Sequence, residues 1–119
     1  MSYQNEIPND TNKLSREAER VERIKRYLLE NLPSDLHAVS VAEKFKLSIS
    51  SFHHLFKKYH GQPYRKYLEE IRINKASELL HTEGIRIKEV MYTTGYKNRA
   101  TFNNAFKKKF KHPPGYFKK

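Results

Sequence analysis

Apolar residues recur at helical spacing along most of the chain, and no stretch alternates with a period of two. The first run follows Ser15, a residue type favoured as a helix N-cap, and ends at Leu32 before Pro33. Residues 1–13 have no periodicity and are rich in Asn, Asp and Thr, so we predict a mobile tail there. The pattern as a whole predicts an all-α protein of about seven helices.

Five more helical segments and one final turn complete this prediction. The segments cover residues 38–45, 48–60, 64–81, 87–96 and 98–110, and residues 112–119 have room for at most one turn. We expect Gly61 and Gly84 to end the third and fourth helices. The predicted organisation is a first subdomain over 14–62, a linker helix over 63–82 and a second subdomain over 83–119.

One pattern occurs twice in the chain. Residues 51–60, SFHHLFKKYH, match residues 101–110, TFNNAFKKKF, at an offset of 50, and the short helices before them match at an offset of 49. Each copy reads as a short helix, a tight turn and a longer helix, which is the helix-turn-helix arrangement that presents its second helix to the DNA major groove. The second turn contains Gly95 where the first has Lys46, so the two turns are expected to differ slightly.

The longer helix of each copy has an apolar face and a polar face. At 100° per residue, Phe52 and Phe56 share a face predicted to be core, as do Phe102 and Phe106. The opposite faces carry small, amide, imidazole and basic groups, which suit the reading of base edges. These residues are Ser50, His53, His54 and Lys57 in the first copy, and Ala100, Asn103, Asn104 and Lys107 in the second. Lys57, Lys58, Lys107 and Lys108 are expected to contact DNA phosphates, which fix the register without reading sequence.

Charge strengthens the case for a polyanionic partner. The net charge is +11, and residues 36–119 hold 18 basic and 6 acidic side chains against 6 and 7 in residues 1–35. A folded, strongly basic domain is typical of nucleic-acid binders. The plainer alternative is a basic surface that only keeps the protein soluble.

Composition also argues against several classes of function. The chain has no Cys, so neither a disulfide framework nor a cysteine zinc site is expected. Neither a membrane-length apolar run nor a signal peptide is present, which predicts a cytoplasmic protein. Adjacent helical residues point about 100° apart, so His53 and His54 are not expected to share a metal ion, and we predict no cofactor. No arrangement of catalytic groups points to an enzyme.

Two stretches resemble the DNA-binding domain of the AraC family of bacterial transcription regulators. They are SVAEKFKLSISSFHHLFKKYHGQPYRKYLEEIRINKAS and IKEVMYTTGYKNRATFNNAFKKKFKHPPGYFKK. The second carries the more diagnostic matches, namely Ile87, Gly95, Tyr96, Phe102, Phe106, Lys107, Lys108, Phe110, Pro114 and Tyr116. The chain departs from the family where His37 and Arg86 replace a Ser or Thr N-cap, where Lys97 replaces a small polar residue, and where Met91 replaces Ala.

The resemblance implies two homeodomain-like helix-turn-helix subdomains on a central helix, with both recognition helices in successive major-groove segments of double-stranded DNA. It implies base-reading positions at Ile49, Ser50, His53, His54, Asn98, Arg99, Ala100, Asn103 and Asn104. It gives Arg72, in the central helix, a structural or phosphate-binding role. RNA polymerase is a further candidate partner, and the chain is expected to associate with the nucleoid.

Family members usually carry a sensor or dimerisation domain. The chain is therefore either a small stand-alone regulator or the C-terminal part of a longer one, with residues 1–13 the end of a linker. The main competing function is a DNA-packaging protein that binds without sequence preference. RNA binding is disfavoured because exposed aromatic residues for base stacking are not evident in the pattern.

Overall fold

The computed structural model describes residues 9–118, and this part of the chain consists of seven α-helices joined by short loops. The predicted all-α fold is therefore confirmed. The helices are α1 (Asn9–Glu30), α2 (Ala38–Lys44), α3 (Ile49–His60), α4 (Tyr64–Leu79), α5 (Ile87–Thr93), α6 (Arg99–Phe110) and α7 (Pro114–Phe117).

The first helix begins earlier than the sequence pattern indicates. The predicted tail covered residues 1–13, but α1 begins at Asn9, so residues 9–13 are helical, and residues 1–8 lie outside the described part. Tertiary contacts hold the part of α1 that follows. The Tyr59 hydroxyl donates to the Leu14 carbonyl at 3.1 Å, and the Lys58 ammonium donates to Glu17 at 2.8 Å. These bonds hold the early turns of α1 against α3.

The two helix-turn-helix copies have matching backbones. Both α3 and α6 contain twelve residues, and their bounds differ by the predicted offset of 50. Ser48 caps α3 by accepting the Ser51 N–H at 3.1 Å, and Asn98 caps α6 by accepting the Thr101 N–H at 3.0 Å. Asn98 thus provides the small polar cap that the sequence reading missed when it placed the departure at Lys97.

The tight turns adopt the same left-handed conformation and differ only slightly in φ, as expected. Lys46 has a φ of +57°, so it adopts the left-handed conformation like Gly95, whose φ is +93°. At the C-caps of the recognition helices the glycine is in the first copy and the lysine in the second. Gly61 follows α3 with a φ of +66°, and Lys111 follows α6 with a φ of +70°. Each copy therefore places one lysine where glycine costs less.

The short helices begin without a side-chain cap from their own N-cap residue. Neither His37 nor Arg86, the two departures from a Ser or Thr N-cap, provides a side-chain capping bond. Glu89 compensates in α5, since its carboxylate accepts the Arg86 N–H at 3.2 Å. In a capping box the N-cap side chain would also accept a backbone N–H of the first turn. The Arg86 side chain cannot do this, because it has no acceptor.

Two hydrophobic cores are arranged along the molecule, and α4 contributes to both. Tyr64 and Tyr67 pack in the first core with α1, α2 and α3, whereas Ile73, Ala76 and Leu80 pack in the second with α5 and α6. The segment predicted as a linker helix is thus a structural part of each unit. The described chain extends 62 × 28 × 22 Å, an elongated shape that follows from this arrangement.

The repeat also includes the helix that precedes each short helix. The buried positions Val21, Ile24 and Leu28 of α1 correspond to Ile73, Ala76 and Leu80 at an offset of 52. α1 packs on α3 as α4 packs on α6. Each copy is therefore a three-helix unit, and α4 is the first helix of the second one.

The first core includes a partly buried histidine. The His60 ring stacks on Tyr67 with 4.4 Å between centroids, and its Nε2 is buried without a hydrogen-bond partner in the described residues. Burial and the nearby Lys25 lower the pKa of His60, while Glu22 and Glu70 oppose that shift. The neutral imidazole is thus the form that the fold favours.

Candidate nucleic-acid interface

The two cores are joined by one buried arginine. Arg72 is 7% exposed, and its Nη1 donates to the Leu32 and Thr94 carbonyls, both at 2.8 Å. Its Nη2 donates to the Ser34 carbonyl at 2.9 Å and to the Asp35 carbonyl at 3.3 Å. Residues 32–35 follow α1, and Thr94 lies in the turn before α6, so the guanidinium bonds both units at once.

Burial lowers the pKa of Arg72, yet a guanidinium stays charged in proteins. Carbonyl dipoles compensate this charge, since the side chain is largely buried and both Nη groups donate to backbone carbonyls. Its burial and these bonds argue against the expected phosphate contact of Arg72 and favour its structural role. Lys97 adds a second link between the units through its 2.7 Å ion pair with Asp35, which lowers the pKa of that carboxyl group.

We call the bonds by which Arg72 connects the two units the joint. Gly95, in the turn before α6, leaves room for it. A Cβ added at Gly95 would lie 1.4 Å from Nη1 of Arg72 and 2.2 Å from the Leu32 carbonyl oxygen. Gly95 is thus required both for its positive φ and for the close approach of the arginine. The joint fixes how the first unit lies against the turn that precedes α6.

The face of α3 predicted to read bases lies on the surface. Phe52 and Phe56 are fully buried, and Leu55 is 4% exposed. The four base-reading candidates are exposed on the other side, where no acidic residue occurs in the helix. These residues are Ile49, Ser50, His53 and His54.

The corresponding face of α6 has the same organisation. Phe102, Ala105 and Phe106 are buried, and Arg99, Ala100 and Asn104 are exposed. Asn103 is half-buried, so it lies at the edge of this face. Asn98 is exposed, but its Oδ1 accepts the N–H and hydroxyl of Thr101. Its side-chain oxygen is therefore occupied by capping, which leaves only the amide NH₂ for a base.

The lysines predicted to bind phosphates are in three different environments. Lys57 and Lys107 are exposed near the centre of the polar faces. Lys58 is bonded to Glu17 at 2.8 Å, which lowers the pKa of that carboxyl group. Lys108 borders a groove that also contains Glu69. The neighbouring Lys109 reaches back to Asn74 of α4.

Two flanking grooves lie beside the recognition helices, and sequence reasoning missed them. One is lined by Lys13, Glu17, Arg20, Leu47, Ser50, Ser51, His54, Leu55 and Lys58. The other is lined by Pro63, Arg65, Lys66, Glu69 and Lys108. They could have been found from the similarity of α1 and α4 at an offset of 52, which the repeat at an offset of 50 does not include.

Among the described residues, no group of three or more His, Cys, Asp or Glu side chains could hold a metal ion. In the same part of the chain, no helix is long and apolar enough to cross a membrane.

Comparisons with known proteins place the fold in a family. Residues 41–119 match the family described as a helix-turn-helix domain. Among curated proteins, the HTH-type transcriptional activator RhaS of Escherichia coli O139:H28 is 26% identical over 101 residues, which are 85% of this chain and 36% of RhaS. The chain thus spans about a third of the length of the curated relatives it matches first.

Two solved structures resemble the chain throughout most of its length. The C-terminal domain of AraT, a response regulator from Geobacillus stearothermophilus, is 32% identical with a TM-score of 0.75 and covers 82% of each chain. A transcriptional regulator from Chromobacterium violaceum, described as containing an AraC-type DNA-binding domain, has a TM-score of 0.78 at 21% identity, over 87% of this chain and 92% of that one. With its two helix-turn-helix copies and the matched residues 41–119, the chain belongs to the AraC-type helix-turn-helix family.

Proposed function

We propose that this chain is the sequence-specific DNA-binding part of a bacterial transcription regulator, and that it places α3 and α6 in successive major-groove segments on one side of double-stranded DNA. The observation that carries the proposal is the pair of exposed, acid-free helix faces at equivalent positions of two units that Arg72 joins. An α-helix fits the major groove, and two helices held on one rigid body can follow the groove along the same face.

Base reading is assigned to the exposed faces of the recognition helices. Asn104 is suited to a bidentate contact with adenine, Arg99 to guanine and Ala100 to a thymine methyl. On α3, His53 and His54 offer ring nitrogens to base edges, and Ile49 offers apolar contact. Ser50 is suited to either donors or acceptors. Asn98 and Asn103 are assigned weaker roles, because one is a cap and the other is half-buried.

Lys57, Lys107 and Lys108 are assigned to phosphates, which position the protein without discriminating among sequences. Lys58 contributes there once its bond to Glu17 is rearranged or shared. We infer subdomains at 14–62 and 83–119, with 63–82 joining them, and regard α4 as shared between both cores.

The experiment that tests this function begins with selection of bound sequences from a random DNA pool. Affinity for the selected site is then compared with affinity for random DNA at several salt concentrations. If about six phosphates are neutralised, the slope of log K against log salt should be about −5, and the selected site should bind at least 10³-fold more tightly. A slope near zero would refute DNA binding by this basic surface.

The competing candidate is a protein that packages DNA without sequence preference. It shares the positive charge, but it gives no reason for amide and imidazole groups at matched positions of α3 and α6. Equal affinity for selected and random DNA would favour packaging over regulation. We regard catalysis as absent from this function, RNA polymerase as a further partner of the DNA-bound protein, and the bacterial cytoplasm, on the nucleoid, as its location.

A further inference from the structure

The groove between α1 and α3 borders the first recognition face. Lys13 and Arg20 of α1 line it opposite Ser50, His54 and Lys58 of α3. Ser50 and His54 are two of the proposed base readers, so the cations of α1 lie directly beside them. The acidic residue in this groove, Glu17, already accepts a hydrogen bond from Lys58 at 2.8 Å.

A similar groove borders the second recognition helix. Arg65 and Lys66, in the first turn of α4, line it with Glu69 and with Lys108 of α6. A neighbouring depression shares Lys66, Glu69 and Lys108 with this groove and reaches Ala105 of α6. Arg65 and Lys66 are both exposed.

The internal repeat relates three pairs of residues in the two grooves. Lys13 of α1 corresponds to Arg65 of α4, and Glu17 to Glu69, at the offset of 52 that also relates the buried residues of the two helices. Lys58 corresponds to Lys108 at the offset of 50. Each groove therefore has a cation from the first helix of its unit, an acid, and a cation from the recognition helix.

The dimensions of DNA indicate what would occupy these grooves. The major groove is about 12 Å wide, and an α-helix with its side chains is about 10–12 Å across. A recognition helix in the groove therefore has a phosphate strand along each flank. Lys58 and Lys108 lie on the flank of their helices that faces α1 and α4, which makes these first helices the next protein surface that the strand meets.

We propose that both grooves are phosphate-binding sites, in which Lys13 and Arg20 of α1 and Arg65 and Lys66 of α4 hold the DNA strand that borders each recognition helix. This inference rests on the proposed function. It adds phosphate contacts from helices outside the two helix-turn-helix motifs. Each groove contains one acid, Glu17 or Glu69, which offsets one of the cations and leaves the net charge of the groove positive.

Three double variants with the same change in charge test the inference. Lys13→Gln with Arg20→Gln removes the cations of the first groove, and Arg65→Gln with Lys66→Gln those of the second. Arg23→Gln with Arg26→Gln is the matched control, because these arginines line a depression formed by α1 residues alone. Gln has nearly the helix propensity of Lys and Arg, so helicity should be retained.

Each groove variant should flatten the slope of log K against log salt by about 1.8, since each lost phosphate contact contributes about 0.9. Affinity should fall by a similar factor for selected and random DNA, and the control should keep the parent slope. Phosphate ethylation interference should lose one cluster of sensitive phosphates per groove variant. Circular dichroism confirms folding, and the single variant Lys13→Gln, at an exposed position, replaces the first double variant if Arg20→Gln unfolds it.

Groove variants that match the control in slope would overturn the inference. If they keep the parent slope but lose activation by RNA polymerase in a purified transcription assay, the grooves bind an acidic protein surface instead. Either result leaves sequence-specific binding by the parent intact. Failure of the parent itself to bind a selected site would instead refute the proposed function.

Discussion

Replacing Gly95 by Ala tests whether the contact with Arg72 holds the two units together. The new Cβ would lie 1.4 Å from the guanidinium and 2.2 Å from the Leu32 carbonyl oxygen, so the arginine has to leave its position. Alanine at a φ of +93° also costs about 1–2 kcal/mol in backbone strain. A displaced guanidinium leaves the Leu32 and Thr94 carbonyls without their donor, which costs about 1–3 kcal/mol for each buried group.

The expected loss in the free energy of unfolding is about 3–8 kcal/mol, a large share of the roughly 5–15 kcal/mol of a typical domain. Gly84→Ala is the matched control. Gly84 also has a positive φ, +80°, but an added Cβ would meet nothing within 4 Å, so only the backbone cost of about 1–2 kcal/mol applies. Urea unfolding followed by circular dichroism measures both variants. The double variant with Arg72→Ala should lose less stability than the sum of the single variants, because both remove the same bonds.

The same variant has a functional consequence. If the joint fixes the two recognition helices relative to one another, Gly95→Ala should lose affinity for the full selected site and retain affinity for a half-site that contacts α3 alone. Titrations of both DNAs below the unfolding transition give the two numbers. A Gly95→Ala protein no less stable than Gly84→Ala, or one with unchanged preference for the full site, would refute this account of the joint.

Three other outcomes are expected. His60→Phe should stabilise the protein more at pH 5 than at pH 8 in thermal unfolding. Because the pKa of His60 is lowered in the folded protein, the unfolded state takes up a proton first as the pH falls below about 6.5. An equal effect at both pH values would contradict this. Lys111→Gly should add about 1 kcal/mol of stability by relieving its φ of +70°, whereas Lys111→Gln, which removes only the charge, should not. His54→Ala and Asn104→Ala should each lose about 1–3 kcal/mol of discrimination at one or two base pairs. Lys107→Ala should lower the affinity for all DNA sequences alike. Identical behaviour of the three variants in competition binding would contradict the assignment of base and phosphate contacts.

The features of the fold that follow from helical periodicity could be predicted from the sequence. The bounds of α3 and α6, their buried phenylalanines and the exposed polar faces follow from spacing alone. The bonds that hold α1 against α3 do not, since their donors, Tyr59 and Lys58, lie more than 40 positions from their acceptors. Spacing also says nothing about the conformation of Lys46, because the turn is imposed by the helices packed on either side of it.

Arg72 shows most clearly what one-dimensional reasoning lacks. In sequence it is a cation on a polar stretch of the central helix, which is equally compatible with a phosphate contact and with a structural role. Its four acceptors are backbone carbonyls from two distant segments, and a carbonyl has no signature in the sequence. Only the glycine at position 95 hints at a close approach, and a turn explains that glycine equally well.

The joint also explains how the duplication can work as a single reader of DNA. Two modules on a flexible linker gain affinity through an effective concentration that the linker length limits. Here α4 is part of both cores, and Arg72 bonds the segment after α1 to the turn before α6, so one orientation of the units is set before DNA is met. The ordering cost is then met during folding, not binding, which raises affinity without any additional contact. If α3 and α6 bind DNA together, we expect the protein to select DNA in which both half-sites lie at the one spacing that the two helices can reach.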